Sequence, residues 1–241
     1  MCLSTTFGRL IQLSFKEIKL ILTIILGATV AEATPLESAE FYNTAHTLKQ
    51  GEKVIHPLLP SMFGVSDSMN LKTSFLGWLG GPNISSEIGF SESETSAMSA
   101  DVIFSSSWDF SSASSVGGQL NYTSGGPLTN RFNASAALLR NSVAGDSSLS
   151  IPISLGYDIV SSESTTIQFT GASNIGTFID GSASGSIGAA WNKGWDSYRI
   201  RLGLTAAYLS IDEQTQEVLE EFGVDLPSFL PLPEFQMWWR F

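Results

Sequence analysis

The chain has 241 residues and a net charge of −11 at neutral pH, because 23 aspartates and glutamates outnumber 12 lysines and arginines. A chain this acidic repels nucleic acid, so we exclude nucleic-acid binding. Cys2 is the one cysteine of the sequence, which excludes disulfides and cysteine-based metal clusters. We expect neither a cofactor nor a metal.

Residues 1–33 have the pattern of a cleaved secretory signal peptide. Three basic side chains precede an apolar run over 20–30, and Ala31-Glu-Ala33 then supplies the small-residue cleavage pattern. The apolar run is too short for a membrane-spanning helix, which needs about 20 residues. We therefore expect the mature chain to begin near Thr34 and residues 34–241 to form one domain.

Two segments near the start of the mature chain are candidate strands. One is 40–48, which is followed by a turn at 49–52. The other is 54–61, which leads into a turn around 64–67. Gly and polar residues in both turns favour a reversal of the chain.

Ten further segments alternate between apolar and small polar residues, with Gly, Ser, Asn and Asp clusters between them. In the clearest, 198–208, Tyr198 and Tyr208 bracket an aliphatic face. Ten steps of about 3.3 Å, tilted by about 45°, cover roughly 23 Å, close to the ~25 Å apolar band of a transmembrane barrel. Pro152 lies within another segment and predicts a local break in strand pairing. The other nine segments are 69–75, 84–90, 101–110, 116–122, 131–138, 149–158, 166–170, 186–191 and 235–241.

Bacterial single-chain barrels have an even number of strands, and this rule sets the strand count. Ten segments plus 54–61 make eleven, so we assign 40–48 as the twelfth strand. We predict an all-β fold: a transmembrane antiparallel up-and-down β-barrel of about 12 strands, with 10 as the alternative.

The faces opposite the apolar stripes carry Ser, Gly, Ala, Thr and Asn, which predicts a polar interior. The charged residues at these positions are Arg199, Arg201, Arg131, Lys72, Glu87, Asp101, Asp109 and Asp158. They would either line a constriction that selects ions or solutes, or form an internal network that plugs a narrow barrel. The sequence leaves both interpretations open.

The longest segment without strand character, 211–231, is acidic. Val218, Leu219 and Phe222 have helical spacing, which predicts a short helix. Counting strands back from a periplasmic C-terminus places this segment outside the cell. We interpret it as a solvated surface loop rather than a lid.

The chain ends on a stripe of large apolar side chains. Phe235, Met237, Trp239 and Phe241 are two residues apart, so an extended strand presents all four on one face. The arrangement resembles the C-terminal β-signal of Gram-negative outer-membrane proteins, which the barrel-assembly machinery reads on the last strand. That family often has a polar residue or glycine upstream, where this chain has Pro231 and Pro233.

The resemblance implies export to the bacterial outer membrane, contact with outer-membrane lipid and lipopolysaccharide, and handling by the barrel-assembly machinery. Residues 47–52 and 63–67 are also similar to the first hairpin of a loose group of bacterial outer-membrane barrels with poorly assigned functions. Neither resemblance implies an oligomeric state or an activity.

Candidate catalytic groups are few. The chain has two histidines, His46 and His56, and lacks a Gly-x-Ser-x-Gly motif. We interpret the protein as a non-enzymatic barrel with either porin-like passive solute passage or a structural role in the envelope. The alternatives are an outer-membrane lipid-modifying enzyme that uses His46 or His56, and a secreted soluble all-β adhesin.

Deletion of Phe241, or replacement of both Trp239 and Phe241 by serine, is expected to abolish assembly into the outer membrane. The last strand would lose its aromatic end, whereas export would continue because the leader is intact. Cell fractionation followed by immunoblotting measures the outer-membrane level. A wild-type level of either variant would contradict the prediction.

Overall fold

β-Strands account for nearly all the regular structure of the chain. The computed structural model describes residues 36–41, 44–57, 59–108, 113–143, 146–174, 184–195, 197–209 and 229–241. The leader predicted over 1–33 lies outside these residues. The strands are β1 (Lys53–Ile55), β2 (Ser61–Ser66), β3 (Met69–Thr73), β4 (Asn83–Glu92), β5 (Ser96–Ser106), β6 (Ser114–Ser124), β7 (Arg131–Val143), β8 (Asp146–Ser150), β9 (Pro152–Ser162), β10 (Thr165–Asn174), β11 (Ser184–Trp195), β12 (Tyr198–Leu209) and β13 (Phe229–Arg240).

Twelve of these strands close into an antiparallel barrel, and β8 is one extra strand. Neighbours in the chain are neighbours in the sheet from β1 to β7 and from β9 to β13. β7 pairs with β9, and β13 pairs with β1 through Trp239↔Ile55 and Arg240↔Val54, which closes the ring. The predicted fold class and the count of twelve are therefore confirmed.

The extra strand results from a break in a longer one. β8 pairs with β7 from Asp146↔Val143 to Ser150↔Leu139, and β9 continues on β7 in the same register from Ile153↔Ala136. The break lies at Ile151, immediately before Pro152, which has no N–H to donate to the ladder. The local break predicted at Pro152 is confirmed.

The predictions for the two segments nearest the start of the mature chain are wrong. Segment 40–48 is not a strand: it lies inside the barrel, where wall side chains rather than a neighbouring backbone bind its amides. Segment 54–61 is divided between the end of β1 and the first residue of β2. Pro57 and Pro60, which lie between the two strands, prevent a continuous ladder there. The count of twelve holds because β1 and β2 replace these two segments.

Alternation along the strands gives the wall an apolar outer face and a polar inner face. Outward side chains such as Val102, Leu120 and Ile187 are 60–66% exposed. The buried polar side chains of the inner face include Asn70, Ser99, Asn121, Thr123, Asn133, Thr166 and Asn192. At the Phe241 end of the barrel the interior also holds a small apolar core of Leu36, Ala39, Phe41, Leu48, Val54, Met62 and Trp238.

The two ends of the barrel differ in their connections. At the end where Phe241 lies, the strands are joined through 67–68, 93–95, 125–130, 163–164 and 196–197. At the opposite end most connections are longer, and the longest is 210–228. The acidic loop predicted over 211–231 overlaps β13 at its end, and the rest of it, with its predicted helix, lies outside the described residues.

Among the described residues, helical structure is limited to single turns. A 3₁₀ turn covers Ser38–Glu40, and a short helix, α1, covers Gly77–Gly80. Within the described ranges, no helix has the length and apolar character needed to cross a membrane.

Gly117 is a position where the close approach of β6 and β7 requires glycine. A Cβ there would lie 2.0 Å from the carbonyl oxygen of Leu138, whereas a Cβ on Gly118 would be 3.4 Å from its nearest neighbour. We expect Gly117→Ala to destabilise the barrel by about 1–3 kcal/mol, and Gly118→Ala, the matched control, to have little effect. The folded barrel is expected to migrate on a denaturing gel as a compact band. The temperature at which this band disappears measures the stability of each variant. Equal temperatures for the two variants would contradict the prediction.

Candidate functional site

Seven of the eight charged residues predicted to face the interior lie there, and each of the seven is in an ion pair. Arg199, Arg201, Arg131, Lys72, Glu87 and Asp101 are between 1% and 9% exposed. Asp158 is fully buried on the same inner face, and Asp109 lies outside the described residues. The structure therefore brings these seven charges into one lumen, where each is paired with an opposite charge and largely shielded from solvent.

Lys72 of β3 joins two carboxylates from the next two strands. Its Nζ lies 3.0 Å from Oε2 of Glu87 and 2.9 Å from Oδ1 of Asp101. Ser99 Oγ donates to Glu87 Oε1 at 2.6 Å, and Asn121 Nδ2 donates to Asp101 Oδ2 at 2.7 Å. Burying this much charge is tolerable because hydrogen bonds satisfy the remaining acceptor sites.

Arg131 and Asp158 form a second pair, and both side chains are fully buried. Arg131 Nε lies 2.7 Å from Asp158 Oδ2, which also accepts a hydrogen bond from Asn133 Nδ2 at 3.0 Å. The guanidinium carbon of Arg131 lies 5.3 Å from the ring centroid of Phe41, a cation–π contact with the segment inside the barrel.

Glu40 joins that inner segment to the last two strands. Its Oε2 lies 2.7 Å from Arg199 Nε, and its Oε1 lies 2.8 Å from Arg240 Nη1. Trp238 Nε1 donates to Oε2 at 3.3 Å. We call these four residues the Glu40 cluster. The Glu40 side chain is fully buried, so its negative charge depends on these donors.

The segment that carries Glu40 crosses the lumen at the Phe241 end, and we call residues 36–41 and 44–50 the N-terminal plug. Its backbone amides bind separate parts of the wall: Leu36 N donates to Glu163 O, and Ala45 N donates to Thr123 Oγ1. Leu48 N donates to Asn70 Oδ1. These partners lie on different sides of the ring, so the plug is fixed across the interior.

Arg201 lies further from the plug and pairs within the wall. Its Nε is 2.8 Å from Glu234 Oε2, and its Nη1 donates to Gln168 Oε1. Thr205 Oγ1 donates to the other carboxylate oxygen of Glu234. The Arg201–Glu234 pair is consequently neutral, and Gln168 and Thr205 each form a hydrogen bond with it.

Between the Arg201 pair and the plug lies a cavity of about 340 Å³. Phe41, His56 and Trp238 line it at the plug side. Its walls combine apolar and small residues such as Leu59 and Ala172 with seven amide or hydroxyl side chains, from Asn133, Ser154, Gln168, Thr170, Ser186, Thr205 and Gln236. A second cavity of about 440 Å³ also includes Ser154 and Ser186 among its lining residues and lies further towards the end with the long connections.

The two histidines are in different environments. His46, 2% exposed, has Nδ1 3.0 Å from Glu92 Oε1 and Nε2 3.3 Å from the carbonyl oxygen of Gly125. His56, in the connection between β1 and β2, stacks on Trp238 with ring centroids 5.3 Å apart. Burial lowers the pKa of His56 to about 4, so its ring is neutral at physiological pH.

Comparison with models of protein families and with curated proteins gave no match to this chain. In the part of the chain that the structure describes, no three His, Cys, Asp or Glu side chains are grouped as metal ligands would be.

Sequence reasoning missed the interior partners Glu40, Glu234, Trp238 and Arg240. Glu40 was assigned to a strand, so its role in a plug was not predicted. A signal for the others was present, because Glu234, Trp238 and Arg240 alternate with the apolar stripe of β13 and therefore point inward.

Glu40→Gln is expected to loosen the N-terminal plug, because Arg199 and Arg240 would lose a buried counter-charge. Removing one partner from a buried ion pair destabilises by about 3–5 kcal/mol. Limited trypsin digestion of the folded protein should then cleave after Lys49 at least tenfold faster.

Glu37→Gln is the matched control, since the Glu37 side chain joins the Glu40 cluster through Arg240 and is 32% exposed, while the backbone bonds of Glu37 to Glu40 are unchanged by the substitution. Its cleavage rate should stay within about twofold of wild type, as expected for a weak, exposed pair. Equal rates for the two variants would contradict a special role for Glu40.

Proposed function

We propose that this protein is an integral outer-membrane β-barrel of Gram-negative bacteria whose lumen is closed by its own N-terminal plug. Its role is non-enzymatic and structural in the envelope rather than open, porin-like solute passage. The lipid and lipopolysaccharide of the outer membrane surround it, and the barrel-assembly machinery inserts it.

The observation that carries the membrane assignment is the reversed polarity of the wall. Large apolar side chains such as Leu204 and Phe235 are more than half exposed outside, while Arg131, Glu87 and Asp158 are buried inside. A soluble monomer rarely exposes contiguous apolar patches larger than a few hundred Å². A bilayer removes this cost, whereas a soluble adhesin would have to cover the same surface with another protein.

Aromatic side chains are grouped near both ends of the apolar surface. Trp195 stacks on Tyr198 near the Phe241 end, with ring centroids 5.4 Å apart. At the other end Tyr208 lies 5.5 Å from Phe229, and Trp78 lies 6.2 Å from Trp108. Two such belts are typical of the two interfaces of an outer-membrane barrel.

The difference between the two ends supports an orientation. Outer-membrane barrels have short periplasmic turns and longer extracellular loops. The same asymmetry in this chain favours a periplasmic Phe241 and an extracellular 210–228 connection. The apolar stripe of β13 that resembles the β-signal is then at the periplasmic end, with Phe241 65% exposed.

The plug distinguishes a closed barrel from a pore. A pore needs a continuous aqueous path, and the plug is fixed across that path by the Glu40 cluster and by three wall-bound amides. The inward arginines, which a constriction would present to passing ions, are instead in short contact with Glu40, Glu234 and Asp158.

The lipid-enzyme alternative has weaker support. Both ring nitrogens of His46 contact Glu92 or Gly125, and the ring of His56 lies flat on Trp238. The hydroxyl of Ser61 bonds to the backbone of His56 rather than to its ring. These contacts favour a structural role for both histidines.

Purified protein reconstituted in planar bilayers is expected to show no steady ion conductance, because the plug blocks the lumen. The double variant Glu40→Gln with Phe41→Ala should produce intermittent conductance steps as the plug detaches, and Glu37→Gln should remain silent. Steady conductance of the wild-type protein would contradict the closed-barrel assignment.

The membrane assignment has its own control. The protein should require detergent to stay in solution and should migrate faster on a denaturing gel before boiling than after it. A monomer that remains soluble without detergent would overturn the membrane assignment and favour the adhesin.

A further inference from the structure

The barrel wall is shorter along the barrel axis where β1, β2 and β3 form it, and we call this part the low wall. β1, β2 and β3 have three, six and five residues, whereas the complete strands elsewhere have ten or more. Six residues tilted by about 45° cover roughly 14 Å, about half of the ~25 Å apolar band. β1 ends at Ile55, opposite Trp239, while β13 continues back to Phe229. The upper part of β13 therefore faces the low wall.

The hydrogen bonds at the C-terminal end of β13 show which of its residues direct their backbone groups towards β1. Phe241 exchanges both backbone hydrogen bonds with Lys53 of β1, and Arg240 N donates to Ser197 O on the β12 side. Backbone N–H and C=O groups alternate in direction along a strand. Those of the odd-numbered residues of β13 therefore point towards β1. Among the described residues, no strand pairs with this edge from Phe229 to Trp238.

Pro231 and Pro233 occupy that edge at two of its odd-numbered positions. An unsatisfied backbone N–H in hydrocarbon costs several kcal/mol, and proline has none to leave unsatisfied. Proline also deprives an added strand of ladder donors, so it disfavours a second copy docking on this edge. These two prolines, a departure from the outer-membrane signal pattern, are suited to an edge that faces lipid.

The inner surface beside the low wall carries several apolar side chains. Leu230 and Leu232 of β13 share the inward face with Glu234, and Leu232 is 43% exposed. Leu59, which follows β1, lines the 340 Å³ cavity. Above the end of β3, Leu79 within α1 is 81% exposed. Apolar groups therefore lead from outside the low wall towards the cavity.

The cavity itself suits a neutral, hydroxyl-rich group. Seven amide or hydroxyl side chains in its walls can bond to hydroxyl groups, and the rings of Phe41, His56 and Trp238, with Leu59, supply apolar surface against which a sugar ring can pack. Its charged residues, Glu40, Arg201 and Glu234, are already paired. No uncompensated charge among these lining residues is left for an ionic head group. Its volume is at the small end of ligand pockets, which suggests a group of monosaccharide size.

We propose that the low wall over β1–β3 is a lateral opening through which an amphiphile reaches the cavity. The ligand has a single acyl chain, which lies along Leu230, Leu232 and Leu59, and a neutral polyhydroxyl head group, which binds the amide-lined cavity. This inference rests on the membrane assignment proposed above and gives the closed barrel a ligand-binding role.

The test uses the full mature chain in lipid nanodiscs and an alkyl glucoside that carries a photoreactive diazirine in its chain. After irradiation, mass spectrometry should find saturable adducts on peptides that contain Leu59, Leu230 or Leu232. Excess unlabelled alkyl glucoside should reduce these adducts at least fivefold, and an alkyl phosphate of equal chain length should not.

Variants separate the opening from general lipid contact. Leu232→Trp, which fills the apolar path, and Gln236→Leu, which removes a cavity amide, should each reduce the adducts at least fivefold. Leu204→Trp is the matched control, because Leu204 pairs with Pro233 but faces outward. It should leave the adducts unchanged. Heat-modifiable migration verifies that each variant is folded.

Four results would overturn the inference. Non-saturable adducts spread over outward residues would indicate general lipid contact and leave the membrane assignment standing. Equal competition by the alkyl phosphate would exclude a preference for a neutral head group. Dimers crosslinked through β13 would identify a second copy as the occupant. Failure of the folded protein to enter nanodiscs would refute the membrane assignment itself, and the inference with it.

Discussion

The structure depends on one buried carboxylate. Glu40 is held between Arg199 of β12 and Arg240 of β13, and it also accepts a hydrogen bond from Trp238. An isolated buried charge would be very unfavourable, so Glu40 is stable inside only while these donors are in place. Conversely, two inward arginines on adjacent strands would repel each other without it. The plug and the closing strands therefore stabilise each other through the same group.

Elsewhere in the interior, buried charges are likewise paired with opposite charges. Small polar residues line the wall, and amides or hydroxyls bond to the charged groups, as Ser99 and Asn121 do to Glu87 and Asp101. The outer face needs none of this, because apolar side chains there require only an apolar surrounding. The inner face fixes the specific arrangement through directional bonds, whereas the outer face contributes non-directional burial.

Strand alternation was sufficient to predict most of the barrel. Each of the ten segments from Met69 onward lies wholly or mostly in strands, and the inward position of Arg199 and Arg201 follows from parity alone. Local pattern failed at the N-terminus, where 40–48 reads as a strand but lies in the lumen. Its conformation is set by partners such as Asn70 and Thr123, which are remote in sequence.

The short first strands were missed for a related reason. Residues 54–61 look like one strand until Pro57 and Pro60 are considered together as the site of a reversal. Pro152 shows the contrary case, since a single proline in a longer strand breaks the ladder without reversing the chain. Whether a proline breaks or turns a strand depends on the neighbouring strands, which the local sequence does not specify.

The position of the Glu40 partners has a consequence for the order of events in folding. Glu40 lies about forty residues from the start of the chain, whereas Arg240 is the penultimate residue. Contacts this distant in sequence require the closure of a very long loop and form late. The contacts of Glu40 with Arg240 and Trp238 therefore form only once β13 is in place. A chain that stalls before its last strand keeps the plug contacts with Thr123 and Asn70, but its buried Glu40 lacks two of its three side-chain donors.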